Sequence, residues 1–451
     1  MPTILERGLR QVTRLRLNRF AVFAATVALP VSSVLAQSTA PADPLRPLPE
    51  AAGQPGTAGL ATTQPAPAAA EPAPLPPPPP PLWRVDQAAA LLTYIQWIGR
   101  EGLTPADYDP AGLELAMQSR DPMVLAQAAT DRFNKVSSDL ALGHVRGDAR
   151  IDWHVVDKDL DEARQRLLLE TALRDNRIAD ALNGLLPTHP QYGALKNALS
   201  IAPKGEANKI NKIRLNMDRW RWLPRDLGQK YIIVNVPAFY ATLVENGVTR
   251  WKQRAVAGAI KTPTPQLSAM ATGVILNPWW EVPKSIEPEV RGKAGYVPVK
   301  GKDGKIQRWR QPPGPSNALG EMKFVMPNSQ AIYLHDTNAR SRFNGQIRAL
   351  SHGCVRTQNI HDLAAELGGD DNGEWSRAKI DEVLATDKTV EAKFVKPVPV
   401  HIVYFSVAAL VDGSVVNYSD LYKRDDQVIA ALLDTDGKAP GKAPAQKVAA
   451  K

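Results

Sequence analysis

The chain contains one cysteine, Cys354, and two of its seven histidines, His335 and His352, lie close to it in the sequence. A thiol becomes a strong nucleophile when a base or a positive field converts it to thiolate. Both histidines are therefore candidate partners for a cysteine-dependent acyl transfer. The alternative is that Cys354 is a small buried apolar residue, which is a common situation for a free cysteine.

The segments around these residues are suited to holding them in place. His335 ends an apolar stretch, residues 331–334, that is predicted to be a strand, and a strand end is a rigid place for a base. The loop from His335 to Ser351 has the length needed to bring Ser351 and the residues after it back beside the end of that strand. The sequence His352-Gly353-Cys354 predicts a tight turn, whose N–H groups could face the oxyanion of an acyl-transfer intermediate.

The composition sets limits on the class of protein. With 451 residues, 44% hydrophobic and 22% charged, the chain is long enough for two globular domains. Lysine plus arginine exceed aspartate plus glutamate by 55 to 46, a net charge of +9 that suits an anionic polymer or a membrane surface. No zinc-finger spacing, RNA-binding signature or long basic run indicates nucleic acid. No histidine pair has the His-Glu-x-x-His spacing of a metal enzyme, so no metal is predicted.

The first 36 residues have the pattern of an export signal. Five arginines between Arg7 and Arg19 precede an apolar run over residues 20–36 that ends in Val34-Leu35-Ala36. We predict cleavage before Gln37; the alternative is an uncleaved inner-membrane anchor. Either outcome places the rest of the chain outside the cytoplasm, in the periplasm.

Composition divides the remainder into four segments. Residues 37–82 are rich in proline and alanine and are predicted to be a disordered linker, and residues 435–451 a second disordered tail. Residues 83–205 have helical periodicity, with Asp121-Pro122 as a predicted helix start. Residues 208–434 are β-rich, and Glu245-Asn246-Gly247 predicts a hairpin turn.

Two motifs resemble the signature of the L,D-transpeptidase catalytic domain: His335-Asp336-Thr337 and Ser351-His352-Gly353-Cys354-Val355-Arg356, with 15 residues between His335 and Ser351. Further matches resemble the large Gram-negative subgroup of this family, namely Arg219-Trp220-Arg221-Trp222-Leu223-Pro224, Asn277-Pro278-Trp279-Trp280 and Pro312-Pro313-Gly314-Pro315-Ser316-Asn317-Ala318-Leu319-Gly320. The resemblance covers about residues 83–433. It implies an α+β chain in which an all-α scaffold domain precedes a mostly β catalytic domain with a capping loop at about residues 283–315.

The resemblance also implies a reaction. Cys354 attacks the carbonyl between the third residue and the terminal D-alanine of a peptidoglycan tetrapeptide stem, D-alanine leaves, and a thioester forms. His335 matches the general base. Asp336 matches the residue whose backbone carbonyl orients the imidazole, while its side chain is also compatible with a structural turn. The amine of a diamino acid in a second stem then resolves the thioester to give a 3-3 cross-link, whereas water gives trimming. No cofactor is implied.

The other motif residues are expected to support this site. His352 and Gly353, with the N–H of Cys354, match the positions that shape the oxyanion site, and the alternative for His352 is a purely structural turn. Ser351 is expected to cap the turn. Arg356 either holds a substrate carboxylate or braces the loop.

The two tryptophans and the capping loop bear on substrate choice. Trp279 and Trp280 are expected in the core and the pocket wall rather than as sugar platforms. The capping loop is short and matches the subgroup poorly. No separate peptidoglycan-binding repeat lies between Ser200 and Asn208, where the subgroup often has one. Wall binding would then depend on the cleft, the scaffold or another wall-synthesis enzyme.

Several alternatives remain at the level of sequence. A papain-like protease is disfavoured because its cysteine precedes its histidine in the chain. Within the family, 3-3 cross-linking, attachment of an outer-membrane protein to the wall and L,D-carboxypeptidase trimming share the acylation step, so the motif does not separate them. A non-catalytic wall-binding scaffold is the alternative from another class. The resemblance also predicts that carbapenems acylate Cys354.

Overall fold

The computed structural model describes residues 79–410 and 412–434. The predicted export signal and C-terminal tail, and nearly all of the predicted linker, lie outside these residues. Within them, seven α-helices precede the first strand and the rest is mostly β, so the predicted α+β fold class is confirmed. No helix in the two described ranges is long and apolar enough to cross a membrane.

The helical region has one long central helix surrounded by shorter ones. Asp121 caps that helix by accepting a hydrogen bond from the N–H of Met123 at 2.8 Å, and Pro122 takes its first position, as the sequence predicted. In chain order the helices are α1 (Val85–Gln96), α2 (Pro110–Gln118), α3 (Pro122–Leu142), α4 (Glu162–Arg174), α5 (Ile178–Asn183), α6 (Pro190–Ile201) and α7 (Ala207–Arg221).

Helices α1 and α3 supply most of the core of this region. Leu91 and Ile95 of α1 are fully buried, as are Phe133 and Leu140 of α3. They recur at the spacing that places apolar side chains on one face of a helix. Each such buried side chain stabilises the fold by about 1.5–3 kcal/mol.

The second region is built on a nine-stranded sheet with the order β10-β3-β11-β9-β8-β4-β12-β1-β2, and β2 also pairs with β3, so the sheet closes on itself. Its elements are β1 (Lys230–Asn235), β2 (Tyr240–Glu245), β3 (Val248–Gly258), β4 (Leu267–Leu276), β5 (Trp280–Glu281), α8 (Glu287–Val290), β6 (Val297–Lys300), β7 (Ile306–Gln311), β8 (Met322–Val325), β9 (Leu334–His335), β10 (Ala349–Ser351), β11 (Val355–Thr357), α9 (Ile360–Gly368), α10 (Arg377–Leu384), β12 (Val390–Val403), β13 (Val407–Ala409), β14 (Val415–Asn417) and α11 (Asp425–Leu433).

The hairpin between β2 and β3 forms where the sequence predicted it. Asn246 and Gly247 have φ angles of 50° and 77°, the left-handed conformations that a two-residue hairpin turn requires. Asparagine and glycine tolerate these angles better than other residues do. The turn thereby fixes the register of the strands that lead toward the site.

The segment predicted to be a capping loop, residues 283–315, contains secondary structure. Strands β6 and β7 join β5 in a separate three-stranded sheet, and α8 packs against it. Val282, Ile286, Val290 and Trp309 form a small buried cluster beneath this sheet. We call residues 280–311 the β5–β7 insertion.

The predicted strand at residues 331–334 was wrong in its extent, because only Leu334 and His335 pair as β9. Ala331 has a φ of 51°, which is incompatible with an extended strand. The backbone of Ile332 is bonded to the side chain of Asn328 instead, with its N–H donating to Oδ1 at 3.1 Å and its carbonyl accepting from Nδ2 at 2.7 Å. A side chain thus takes the place of a neighbouring strand.

The helical and β regions are joined by buried polar contacts. Arg219, at the end of α7, lies 2.8 Å from the carboxylate of Asp425 at the start of α11, and both side chains are almost fully buried. Trp153 forms an isolated parallel bridge with Gln266, next to β4. The chain from the helical region therefore reaches the same side of the sheet as the loops that carry the candidate site.

Candidate active site

Two neighbouring strands bring the predicted nucleophile and base together. Strand β9 ends at His335, and β11 begins directly after Cys354; the two strands are parallel, with Arg356 opposite His335. Cys354 and His335 both line a cavity of about 420 Å³, which we call the thiol cavity. No hydrogen bond joins the two side chains among the described residues. The sulfur lies 3.8 Å from the backbone oxygen of Ala331.

A network of hydrogen bonds holds the turn before the cysteine. Ser351 Oγ donates to the carbonyl of Cys354 at 2.5 Å and accepts from the N–H of Gly353 at 3.2 Å. The hydroxyl of Thr264 donates to the carbonyl of Gly353 at 2.7 Å. Gly353 itself has a φ of 115°, which side-chain-bearing residues rarely adopt. Ser351 thus has the turn-capping position that the sequence suggested.

The thiol of Cys354 is held in a partly desolvated environment. Burial raises its pKa, while hydrogen bonds from Tyr333 and the positive charges of Lys323 and Arg356 oppose that rise. Burial likewise raises the pKa of Tyr333, and the neighbouring Cys354 adds to that effect. The phenol therefore stays protonated and can donate a hydrogen bond to sulfur. In the resting site the thiol is the favoured form.

His335 is buried and neutral. Desolvation first, and then the positive charge of Arg356, lower its pKa to about 4. The backbone carbonyls of Asp336 and Leu319 oppose this shift. Neither makes a hydrogen bond of normal geometry with Nδ1, which has no partner in the described part of the chain. An uncharged imidazole in this position can accept a proton from a thiol.

Asp336 uses its side chain for structure. Its Oδ2 accepts from the N–H of Glu321 at 3.0 Å and from Arg340 at 3.1 Å. These bonds tie the segment before β8 to the residue that follows the base. The carboxylate is buried and bonded to this segment.

His352 connects the turn to the β5–β7 insertion. Its Nε2 lies 3.2 Å from the carboxylate of Glu289 in α8, and both side chains are exposed. The residue also lines the thiol cavity. The His352 side chain therefore connects the wall of the thiol cavity to the segment that was predicted to cap it.

Arg356 and the two tryptophans take different places. Arg356 lines the thiol cavity, and its Nε is buried without a hydrogen-bond partner in the described ranges. Trp280 also lines that cavity. Trp279 is not among the cavity residues, and the guanidinium of Arg310 lies 4.1 Å above its ring. Only one of the two tryptophans is thus a cavity-wall residue.

Comparison with known families settles what kind of domain carries this cavity. Residues 229–388 match the family described as the L,D-transpeptidase catalytic domain, and residues 79–199 match a scaffold domain. The chain contains an L,D-transpeptidase catalytic domain that follows a scaffold domain in the sequence. The catalytic-domain match includes the whole segment from His335 to Arg356.

Individual relatives are more distant. A Haemophilus influenzae protein provisionally named an L,D-transpeptidase is 29% identical over 294 residues, 59% of each chain, so this chain spans less than two thirds of that relative. Among solved structures, an L,D-transpeptidase from Mycobacterium smegmatis is 16% identical, with 39% of this chain and 58% of that chain covered and a TM-score of 0.22. A catalytic domain from Enterococcus faecium, acylated by ertapenem, is 15% identical, with 39% and 98% covered and a TM-score of 0.20.

The L,D-transpeptidase domain contains two cavity residues that sequence reasoning missed, Tyr333 and Lys323. Lys323 Nζ lies 5.4 Å from the centre of the Tyr333 ring, and burial lowers the pKa of this lysine. Lys323 is in β8, across from His335 in the register of the β8–β9 pair. Tyr333 lies two residues before the base, and that spacing was the one available signal.

One group in the L,D-transpeptidase domain has the composition of a metal site. Ligand atoms of Glu321, Asp336 and His361 lie within 4.8 Å of one another. The guanidinium of Arg340 already lies 3.0 Å from Glu321 and 3.1 Å from Asp336. This cation offsets one of the two negative charges, so the group has the character of an ion-pair network around the segment that follows His335.

Proposed function

We propose that this protein is a peptidoglycan L,D-transpeptidase that forms a thioester on Cys354. The observation that carries the proposal is that His335 ends β9, that Cys354 directly precedes the adjacent parallel strand β11, and that both residues line one cavity. The catalytic-domain match over residues 229–388 supports the same activity. The substrate class is the tetrapeptide stem, from which D-alanine leaves.

The acylation step can be written with the residues in this cavity. The sulfur of Cys354 attacks the carbonyl carbon while the neutral imidazole of His335 takes the thiol proton. The N–H of Gly353 is already bonded to Ser351 Oγ, so the N–H of Cys354 is the better candidate donor to the oxyanion. Collapse of the intermediate breaks the C–N bond, and the proton held by His335 passes to the departing amine of D-alanine.

Two cationic side chains favour an anionic donor substrate. Lys323 and Arg356 both line the thiol cavity, and Nε of Arg356 lacks a partner there. Stem peptides carry carboxylates, and a guanidinium binds a carboxylate through two parallel hydrogen bonds. We assign Arg356 to a carboxylate of the donor stem.

The proposed setting is the periplasm, reached through the N-terminal signal. The partners are then a donor stem, a diamino-acid amine as acceptor and other wall-synthesis enzymes, without nucleic acid. The arginine-rich start followed by an apolar run supports export. The net charge of +9 suits an anionic wall polymer.

Mass spectrometry of disaccharide-tetrapeptide incubated with residues 37–451 tests the proposal, with Cys354→Ala as the control. Dimers joined 3-3 that vanish in the control are the expected result. Cys354-dependent tripeptide without dimers would identify an L,D-carboxypeptidase instead. No Cys354-dependent product would contradict transfer of the stem to a second stem or to water. Lipoprotein attachment, whose protein acceptor is missing from this assay, and a non-catalytic scaffold would then remain as alternatives.

Carbapenem acylation gives a second test of the nucleophile. Intact mass of the protein should rise by the mass of one carbapenem and stay unchanged in Cys354→Ala. The expected reason is attack of the same sulfur on a strained amide carbonyl. An unmodified mass in the parent protein would count against Cys354 as an acylated nucleophile.

A further inference from the structure

A second cavity lies on the other side of the cysteine turn. It has a volume of about 500 Å³, and we call it the scaffold-side cavity. Asp152 from the helical region, Thr262 from the loop after β3 and Arg424 from the C-terminal segment all line it. It shares Gln330, Ile332 and His352 with the thiol cavity. A molecule in the scaffold-side cavity would therefore lie beside the turn that carries the nucleophile.

Arg424 is the residue in this cavity whose bonding is incomplete. Its side chain is 4% exposed, and its Nη2 lies 2.6 Å from Asp152 Oδ2. Its guanidinium also lies 5.0 Å from the ring centre of Tyr404 and 4.9 Å from that of Tyr422. Nη1 is buried and has no hydrogen-bond partner in the part of the chain that the structure describes. A buried donor without a partner is rare, and this one indicates a missing acceptor.

The charges of the cavity wall favour an anion as that acceptor. Lys423 and Arg424 contribute two positive charges, against one negative charge from Asp152. The Asp152 carboxylate is also shared, because its Oδ1 lies 3.0 Å from His154 Nε2. The tyrosine rings keep the guanidinium fixed in place. A fixed guanidinium with a free N–H binds a carboxylate group well.

We propose that the scaffold-side cavity binds the acceptor of the transpeptidation reaction, an amine that carries a carboxylate on the adjacent carbon, with Arg424 holding that carboxylate. The assignment rests on the proposed function. The acceptor amine passes His352, which lines both cavities, to reach the thioester on Cys354. Its nitrogen forms a bond to the thioester carbonyl, the C–S bond breaks with its electron pair going to sulfur, and His335 transfers the amine proton to the thiolate.

This arrangement makes the acceptor carboxylate a determinant of selectivity. An amine whose carboxylate is replaced by a carboxamide would leave Nη1 of Arg424 without an anionic acceptor. The thioester would then be resolved more often by water, giving tripeptide. Asp152 lies in the helical region, so the scaffold domain would contribute a wall of the acceptor site.

The test compares D-methionine with D-methioninamide as acceptors, with a tetrapeptide stem as donor, because each product has a distinct mass. We expect the parent protein to favour D-methionine by about tenfold or more in kcat/KM, as for a charge-assisted hydrogen bond. Arg424→Gln should bring the ratio close to one, and Arg424→Lys should restore part of it. Arg177→Gln, which removes an exposed arginine in the helical region, is the matched control.

The outcomes separate the two proposals. If the parent protein shows no preference for the carboxylate, or if Arg424→Gln keeps the parental ratio, the acceptor assignment is wrong while Cys354-dependent transfer stands. If the parent protein releases no D-alanine, the proposed function fails and the acceptor assignment fails with it. Because the readout is a ratio between two acceptors, a general loss of folded protein in Arg424→Gln would not reproduce the expected result. Arg424→Lys gives the same comparison in a protein that keeps the charge.

Discussion

The nucleophile and the base are both held in their uncharged forms. Burial raises the pKa of Cys354, and burial followed by the charge of Arg356 lowers the pKa of His335 to about 4. Both shifts oppose a thiolate–imidazolium pair in the resting protein. Deprotonation of the thiol is then expected to accompany substrate attack, when the imidazole can accept the proton at the moment it is released.

The pH dependence of Cys354 alkylation follows from these shifts. The rate of reaction with iodoacetamide should rise with pH through and beyond the ordinary thiol pKa of about 8.5, because only thiolate reacts and burial raises the pKa of this thiol. Titration of His335 should give no step near neutrality. The pH dependence can be measured from alkylation rates over about pH 6–10, with the mass of the intact protein reporting the extent of alkylation. A reactive plateau near neutral pH would show that a thiolate–imidazolium pair exists instead.

Tyr333 is expected to act as a positioning residue for the sulfur. Its hydrogen bonds lower the pKa of Cys354, in opposition to burial. In Tyr333→Phe the hydroxyl donor is lost, so the thiolate is less stable and alkylation at a fixed pH near 8 should slow by about tenfold. Tyr296→Phe is the matched control, since that ring contacts Trp280 in the insertion. Equal rates in Tyr333→Phe and the control would contradict this role.

At the scale of elements, the turn between β10 and β11 depends on the backbone of Gly353. A Cβ at Gly353 would lie 3.2 Å from Ile332 Cδ1, in addition to the strain of a φ of 115°. Gly353→Ala should therefore lower the free energy of unfolding by about 1–3 kcal/mol and slow acylation, since the turn must shift. Urea unfolding and carbapenem acylation measure the two effects.

Gly345→Ala is the comparison for this turn. Gly345 has a φ of −68°, and a Cβ there would meet its nearest atoms at 3.5 and 3.7 Å, which is ordinary contact. We expect it to change stability by about 0.5 kcal/mol or less. If both variants behave alike, the special conformation of Gly353 is unimportant for the site.

The elements near the site differ in how far the sequence predicted them. The Asn246-Gly247 hairpin was predictable because two left-handed residues in succession have a distinctive local sequence. The strand before His335 was predicted too long, because the Asn328 side chain that bonds to the backbone of Ile332 was not anticipated. Local sequence patterns do not indicate that a side chain, rather than a neighbouring strand, will bond to the backbone of a given residue.

The insertion and the cavity walls show a second limit of sequence. Its proline- and glycine-rich stretch suggested a long loop or a small insertion. The sequence did not indicate that Trp309 and Val282 pack into a small core, which the pairing of β5, β6 and β7 creates. Tyr333 and Lys323 were missed because their closeness to Cys354 depends on the order of strands in the sheet. Spacing along the chain had indicated His335, since the interval to the cysteine is itself part of the motif.

At the scale of the whole described chain, buried charge pairs join the helical region to the C-terminal segment. Arg219 pairs with Asp425, and Arg424 pairs with Asp152, so two neighbouring residues of the C-terminal segment are both tied to earlier parts of the chain. Removing one partner of a buried pair leaves an uncompensated charge and is strongly destabilising. These pairs therefore couple the scaffold to the loops around the cysteine turn.

Acid should destabilise the folded protein through buried neutral histidines in both regions. Burial lowers the pKa of His189, His335 and His401 to about 4 in each case. In the unfolded chain these histidines have a pKa of about 6.5, so between about pH 6.5 and 4 the unfolded state binds more protons. The contribution of these histidines to the free energy of unfolding should therefore be fully present above about pH 6.5 and be lost as the pH drops toward 4.

The size of this effect can be tested with one substitution. Each of the three histidines should account for about 1–2 kcal/mol of lost stability between pH 7 and 5, before any offset. For His144, burial lowers the pKa, but the hydrogen bond to Asp139 and the negative charges of Asp139, Asp218 and Asp107 together raise it above the ordinary value, so this residue acts in the opposite direction. His401→Gln removes one titrating group, so its loss of stability between pH 7 and 5 should be smaller than that of the parent by about 1–2 kcal/mol, whatever its stability at pH 7. Urea unfolding of both proteins at several pH values measures the difference. Parallel pH profiles would mean that His401 is protonated alike in the folded and unfolded chains, and burial would then not be what holds these imidazoles neutral.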